Sequence, residues 1–439
     1  DVERSRGLGD VYKRQPINYR PMKLDYIALF LVLFFLAACG SKSSSPDMMD
    51  DNALPTEETF KEIDLANNLK DCGKPLLLSD IVKDVEYVKL ETQDNILVGD
   101  IKQLKRTEQY IFIYSRRQNH IMMFDKSGKF IRRIGRVGQG PGEMSNIQSF
   151  TTNDNRVFIY PLSRSSSFMI YDTQNNDFIK EVSLKYPVSV NDKIDIMDNC
   201  LIYYPGIIYF PGNKEGFISA CVINTDGQIV REQVPEMPVE AKKIDMAIDP
   251  DISWNYQGKS NIYSLINDTI YGITCDSIFP RYHLSLGKYK LPPEKYNFCN
   301  NLDLGDFILI KSVCETKDYL LFSYWFNCKM WFSRYDKNKD KIDSWEQVPF
   351  EVRYWMIRDA PGVTNDIDGT QSFRGNNNMK DVGENCFCFV ITPDNLDQVR
   401  RNVAEAKVKF PEKQAELLKL LDEMGEDDNP IIAFYKLKD

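Results

Sequence analysis

Four short segments of this chain repeat one design, and their spacing restricts the available folds more than any other feature. Phe124-Asp125-Lys126-Ser127-Gly128-Lys129-Phe130 lies between the strand-like runs Ile121 to Phe124 and Lys129 to Ile134. Tyr171 to Phe178, Ile223 to Ile229 and Tyr335 to Ile342 follow the same plan. Each joins a β-branched or aromatic strand to a second strand through an Asx residue, whose short side-chain oxygen can accept a backbone N–H two residues on and so opens a tight turn. The openers stand at 125, 172, 224 and 336, with gaps of 47, 52 and 112, so the last gap spans two periods. Ile270 to Ile278, with Thr274-Cys275-Asp276-Ser277 at its centre, falls near the middle of that gap and supplies the missing member.

An apolar strand precedes each turn: Tyr110 to Tyr114, Val157 to Tyr160, Leu201 to Tyr204, Ile262 to Leu265 and Tyr319 to Tyr324. A period near fifty residues that holds several strands describes propeller blades rather than a helical solenoid. A sixth blade is expected from Asn385 to Ile391 and Asn429 to Leu437, with the early strand Val85 to Leu90 joining it to close the ring and protect its edges. From Asn395 to Met424 the apolar residues Leu396, Val399, Val403, Ala406, Phe410, Leu417 and Leu421 recur at helical spacing around Pro411. The expected fold is therefore all-β, a six-bladed β-propeller with a small helical insertion at about 395–424, two helices that dock their apolar stripe on the propeller itself.

The N-terminal region carries an address. Met22-Lys23-Leu24-Asp25 precedes an apolar run from Tyr26 to Ala38, and Leu36-Ala37-Ala38-Cys39 has the small residues of a lipobox. The run is short for a membrane span, which needs about twenty residues, and a Ser/Pro/Asp-rich tether follows it. The expected organisation is a signal peptide at 22–38, lipidation of Cys39, a tether over 39–56 and one propeller domain over 57–439. Residues 1–21 precede the expected start methionine, and Gly9 to Gln15 resembles translated adaptor read-through, so this stretch is not expected to belong to the protein. Of the 55 basic and 64 acidic residues, six and four lie in 1–38, which leaves 49 against 60 and a net charge of −11. That balance argues against a nucleic-acid-binding surface, which requires a basic patch.

The mature chain resembles the six-bladed β-propeller lipoproteins of gut Bacteroidota, an NHL-like family known as domains of unknown function. The carriers are Leu78 to Val82 followed by Val85 to Thr92; Phe124-Asp125 with Gly128-Lys129-Phe130; Ile134-Gly135 leading to Gly138-Gln139-Gly140-Pro141-Gly142-Glu143; Asn267 to Tyr271 with Pro280-Arg281-Tyr282; and Asn429-Pro430. The resemblance implies export and the propeller fold. It implies little chemistry, because one fold hosts many functions.

Candidate chemistry is sparse. The glycine-rich loop Gly135 to Glu143 has no Gly-Lys-Ser/Thr ending and no following helix, and Pro141 lacks an N–H, so it reads as an interblade turn rather than a phosphate cradle. Gln139 and Glu143 are its candidates for lining the channel mouth. Asn365-Asp366-Ile367-Asp368-Gly369 resembles the opening of a calcium loop without the later ligands, Asn377 standing where a bidentate Glu would be. Family members carry a similar acidic-glycine loop, here continued by Phe373-Arg374-Gly375, so Asp366, Asp368 and Arg374 are further candidate ligand contacts, and calcium is the one cofactor to consider. His120 and His283 are the only histidines, which excludes a multi-histidine metal centre and leaves no Gly-x-Ser-x-Gly elbow for a triad. Cys386 and Cys388 share one face of a strand, unlike a zinc knuckle.

Two functions follow as expectations. One is a cell-envelope lipoprotein, membrane-bound through Cys39 and placed at the outer membrane, whose propeller binds a glycan, a peptide or an envelope protein. The alternative is a metal-dependent hydrolase or lyase with a carboxylate-bound cation in the channel.

Overall fold

The computed structural model describes residues 60–74, 76–115, 118–164, 166–185, 193–204, 220–233, 252–292, 295, 305–327, 329–346, 363–372, 382 and 386–438, within a compact unit spanning Glu58–Asp439. Cys39 and Arg374 lie outside the described residues.

Six small sheets form the blades. Five are antiparallel meanders in chain order. Blade one runs from Ile101–Arg106 to Phe130–Ile134 and blade two from Ile147–Thr152 to Phe178–Ser183. Blade three runs from Lys193–Met197 to Ile229–Gln233, blade four from Ile252–Tyr256 to Ile278–Ser285, and blade five from Leu309–Glu315 to Lys341–Glu346. The first strand of a meander is the innermost, since successive first strands touch one another. The sequence expectation of a six-bladed propeller holds.

The repeated turns behave as their chemistry dictates. Asp125 Oδ1 accepts the N–H groups of Ser127 at 2.9 Å and Lys129 at 3.0 Å, and Asn224 Oδ1 accepts those of Asp226 at 3.0 Å and Gln228 at 2.9 Å. Asp172 and Asp336 do the same for Gln174 at 2.7 Å and Asn338 at 3.0 Å. Burial alone would raise the Asp125 carboxyl, but the Ser127 hydroxyl and these amides outweigh it and hold the group below its ordinary range. Glycine is needed at Gly128, with φ of 88°, because a Cβ there would collide with the carbonyl of Lys89. Gly227 meets the Ser183 carbonyl of the preceding blade in the same way.

That equivalence places Val82–Lys89 as the outermost strand of blade six, the position Phe178–Ser183 has in blade two. It pairs antiparallel with Ile431–Leu437, from Val82 opposite Leu437 to Lys89 opposite Ile431, and Cys386–Ile391 lies on the other side. The two ends of the domain thus share one sheet. The chain reaches this seam along the outer rim. Lys61–Asp64 adds a fifth, parallel strand to blade four, with Lys61 opposite Tyr282 and Asp64 opposite Ser285. The Cys72 N–H then donates to the Ser344 carbonyl of blade five at 2.9 Å, and Leu78 N–H to the Thr364 carbonyl at 2.9 Å, before Val82 enters blade six.

Apolar side chains between blades form the core. Between blades four and five, Trp254, Tyr263, Tyr282, Phe322, Tyr324, Trp331 and Tyr335 are buried together. Two helices, Leu396–Glu405 and Pro411–Asp422, occur where the periodicity places them, with Pro411 opening the second, where its missing N–H costs nothing. Val399, Val403, Leu417 and Leu421 pack with Ile391 and Ile431, so the stripe docks on blade six. Cys386 packs beside buried Cys388 in one cluster, on a common face.

Two polar devices pin neighbouring blades. Cys200 of blade three is disulfide-bonded to Cys275 in the outer turn of blade four, 75 residues on. Between blades four and five, Glu315 has no exposed side-chain surface and accepts Arg281 Nη1 at 2.9 Å and Nη2 at 2.8 Å, Lys337 Nζ at 2.7 Å and Trp254 Nε1 at 2.9 Å. Burial by itself would raise this carboxyl; Arg281 and Lys337 overcome it and lower it below the usual range. A carboxyl lowered in the folded state stabilises fully above its unfolded value, about 4.3, and loses that contribution as pH falls through the lower folded value. Glu315→Gln should cost about 3–5 kcal/mol at pH 7, by leaving Arg281 and Lys337 without their anion, and should flatten the loss of stability between pH 5 and pH 3. Urea unfolding at several pH values reads both effects, and an unchanged midpoint would contradict this account. Replacing Cys200 and Cys275 together with Ser should cost about 4 kcal/mol, from the closed loop lost in the unfolded chain. The same unfolding curves, with and without reductant, measure it.

Candidate functional site

The innermost strands surround the axis, and their free edges must satisfy backbone groups without a further strand. Side chains from blade one do this for blade two. Gln103 donates from Nε2 to the Phe150 carbonyl at 2.7 Å and accepts the Phe150 N–H at 3.0 Å, so its amide imitates a strand, while Lys102 Nζ donates to the Gln148 carbonyl at 2.7 Å. Lys105 of blade one reaches Asp195 of blade three at 2.9 Å, with side-chain exposures of 10% and 2%. These blades are not neighbours, so the pair reaches past the inner edge of blade two and ties blade one to blade three. Burial, and then the Asp195 charge, push the Tyr160 hydroxyl far above its ordinary value.

The glycine-rich loop is held by its own carboxylate. Glu143 Oε2 accepts the Gly140 N–H at 2.9 Å, and Arg164 Nη2 donates to the Glu143 carbonyl at 3.0 Å. The Glu143 carboxylate also packs against Gly138, which has φ of 155°, so a side chain there would have to displace it. Gln139 is exposed on this loop. The loop is an interblade connection, from blade one to blade two.

The acidic-glycine loop lies in another connection, between blades five and six. Asp368 is fully buried. Its Oδ1 accepts Asn365 Nδ2 at 2.8 Å and the Thr370 N–H and hydroxyl at 3.0 Å each, and its Oδ2 accepts the hydroxyls of Tyr87 at 2.7 Å and Tyr435 at 2.8 Å. Asp366 accepts the Ser79 N–H at 2.8 Å and hydroxyl at 2.6 Å, and so caps the helical turn Leu78–Ile81. Burial first, and then the Asp368 charge, drive the Tyr435 hydroxyl well above its ordinary value and make it a donor throughout the accessible pH range. The loop therefore ties the seam strands Val82–Lys89 and Ile431–Leu437 to the segment before blade six. Every carboxylate oxygen already has protein donors, whereas calcium wants six to eight oxygens directed at itself. Among the described residues no three His, Cys, Asp or Glu side chains stand together as a metal-binding group. His120 accepts Arg133 Nε at 2.9 Å, and burial with the Arg133 charge lowers it to about 4.

One feature escaped the sequence reading. The two central strands of blade five, Tyr319–Phe326 and Lys329–Asp336, pair over eight rungs, from Tyr319 opposite Asp336 to Phe326 opposite Lys329, where blade one has five. The Asx openers Asp125 and Asp336 align one end of the two hairpins, so the three added rungs lie at the opposite end, at Tyr324, Trp325 and Phe326. Asn327, with φ of 53°, turns this tip, and its N–H donates to the Gly305 carbonyl at 2.6 Å. The Ile308 N–H donates to the Tyr289 carbonyl at 2.9 Å, which brings a third segment alongside. Half-buried Tyr289 and Phe326 meet there with their rings 4.7 Å apart, edge to face; half-buried Phe307 lies on the adjoining segment, and half-buried Trp325, one residue back along the strand, alternates to its other face. Lys311 Nζ stands 4.2 Å from the Trp325 ring centre and Lys295 Nζ 5.0 Å from that of Phe307. The run Phe322-Ser323-Tyr324-Trp325-Phe326 was the available signal, but an aromatic run reads equally well as core.

The Asp368 network makes a direct prediction. Asp368→Asn places amide hydrogens against donors and should destabilise the fold by about 2–4 kcal/mol, while millimolar Ca²⁺ or chelator should leave the melting temperature of the parent protein unchanged. A calcium-dependent rise that Asp368→Asn abolishes would instead make the loop a cation site.

Comparison with known proteins places this geometry. No curated protein matches the chain. A solved structure of a Bacteroides fragilis protein described as exported is 18% identical, covers 87% of this chain and 100% of its own, and superposes with a TM-score of 0.56, a likeness of fold. A member of the duf4221 family from Bacteroides vulgatus is 11% identical, covers 81% of this chain and 97% of its own, with a TM-score of 0.44. The family described as domain of unknown function (DUF4934) matches residues 60–436, from the rim strand to the closing strand of blade six, and the chain belongs to that family.

Proposed function

We propose that this protein is an exported, lipid-anchored envelope protein whose propeller binds a ligand or a partner rather than transforming one. The observation that carries the reading is the lengthened hairpin of blade five, whose tip holds the half-buried Tyr289 and Phe326 rings edge to face and is fixed by two backbone hydrogen bonds. Rigid aromatic side chains with part of each face open are what binding sites use, because they offer contact area at low entropic cost. Three buried carboxylates among the described residues already have protein partners: Asp195 with Lys105, Glu315 with Arg281 and Lys337, Asp368 with two tyrosines. The Cys200–Cys275 disulfide supports an oxidising compartment and so agrees with export. Cys39 would carry the lipid and 39–56 the tether, with the outer membrane as the site of attachment. Gln139 is a secondary contact candidate on the exposed loop between blades one and two.

Address and binding are tested separately. Cys39→Ser should move the protein from the membrane fraction to the soluble fraction, and unchanged membrane association would sink the anchor. A photo-crosslinking residue at position 326 should give a discrete adduct in intact cells, whereas one at exposed Ile179 on the outer edge of blade two should not. Absence of any adduct at 326 would count against a binding role for this tip.

A further inference from the structure

We infer that blades one and two carry a second docking surface, separate from the blade-five tip, for a protein partner that presents apolar side chains bordered by carboxylates. Six large apolar residues are exposed among the described residues, and three of them, Leu97 at 49%, Val137 at 60% and Leu162 at 52%, belong to neighbouring loops. In a meander, the connection entering the first strand and the turn between the second and third strands lie at the same end of the blade. Leu97 precedes blade one, Val137 joins blade one to blade two, and Leu162 opens the turn between the second and third strands of blade two, so all three lie at that end. Hydrogen bonds fix these loops. Gln118 Nε2 donates to the Leu97 carbonyl and Arg133 Nη2 to the Asn95 carbonyl, and Arg133 stands two residues before Gly135, where the second loop begins. Arg164 Nη2 donates to the Glu143 carbonyl at 3.0 Å and the Leu162 N–H to the Asn146 carbonyl at 3.0 Å, which joins the second loop to the third. Aliphatic groups exposed together on loops held in this way mark an interaction site, because little entropy is lost when a partner covers them.

Charge indicates the partner. Residues 91–164 hold 12 Lys/Arg against 7 Asp/Glu, in a chain with 55 against 64. Exposed Arg133 donates to neutral groups, His120 Nε2 at 2.9 Å and the Asn95 carbonyl, and has no carboxylate partner among the described residues. Exposed Arg136 meets Asp177 only at 3.7 Å, with side-chain exposures of 49% and 66%, a contact worth little. Both guanidinium charges therefore remain for the carboxylates of a partner. A lipid surface fits less well, since Asp94 and Asp100 are exposed on the Leu97 loop and anionic headgroups would repel them. A sugar fits less well too, because the three exposed apolar groups are aliphatic and offer no aromatic face for stacking.

A photo-crosslinking residue placed at position 97, 137 or 162, one at a time in the full chain in intact cells, tests this. All three positions should yield an adduct with the same protein, and the crosslinked peptide should carry Asp or Glu beside apolar residues. Arg136→Glu should lower the yield at position 137 about tenfold, and Arg133→Glu should do the same at position 97, with melting curves confirming that each variant is folded. The adduct at position 326 should be unaffected by either substitution, so the two surfaces are judged separately. Lipid or glycan adducts at the three positions overturn the protein partner, and an adduct with a second copy of this chain overturns a separate one. Different proteins at the three positions, or no adduct at any, overturn the shared surface. Yields that neither arginine substitution lowers overturn the role of charge.

Discussion

Every blade of this molecule depends on one pairing, that of Val82–Lys89 with Ile431–Leu437. Propeller blades bury their apolar faces only against neighbours, so an open array would leave two faces and two edges exposed to water. Joining the ends of the domain in blade six removes both faces at once. The buried surroundings of the seam follow from this. Ile431, Ile432, Ala433 and Phe434 are fully buried, and Val82, Val85 and Val88 pack against blades five and one. The polar network around Asp368 then ties both seam strands to the segment before blade six through Tyr87 and Tyr435.

The axis is the second constraint. Inner strands have no further strand to complete their ladders, and this protein meets the deficit with long polar side chains. Gln103 and Lys102 serve the edge of blade two, and Lys105 reaches past blade two to Asp195 of blade three. The same residues explain why these strands were invisible in the sequence. Ile101-Lys102-Gln103-Leu104-Lys105-Arg106 has neither the alternation nor the β-branched content of an ordinary strand, because its polar groups answer to the inner edge rather than to solvent.

The outer hairpins were legible for the opposite reason. Their information is local: an Asx oxygen closing a turn on amides two to four residues away, and a glycine where a side chain would strike the preceding blade. The helical insertion was legible through its periodicity and Pro411. The rim strand Lys61–Asp64 was not, since four residues pairing in parallel with Tyr282–Ser285 leave no periodic trace. Of the candidate contacts, Asp366 and Asp368 were legible as a loop motif, but the motif could not reveal that their oxygens accept donors from Ser79, Tyr87 and Tyr435, which lie far away in sequence. The aromatic tip of blade five was legible as composition only.

By itself, then, the sequence determined the class of the fold, the number of blades, the turn chemistry and the position of the helices, because each of these rests on interactions within about fifty residues. The tertiary structure alone decided where the N-terminal segment runs, which carboxylates have protein donors, which cysteines pair and which aromatic rings stay partly open. Those outcomes depend on groups up to 355 positions apart, such as Val82 and Leu437 on the two seam strands, meeting only once the ring has closed.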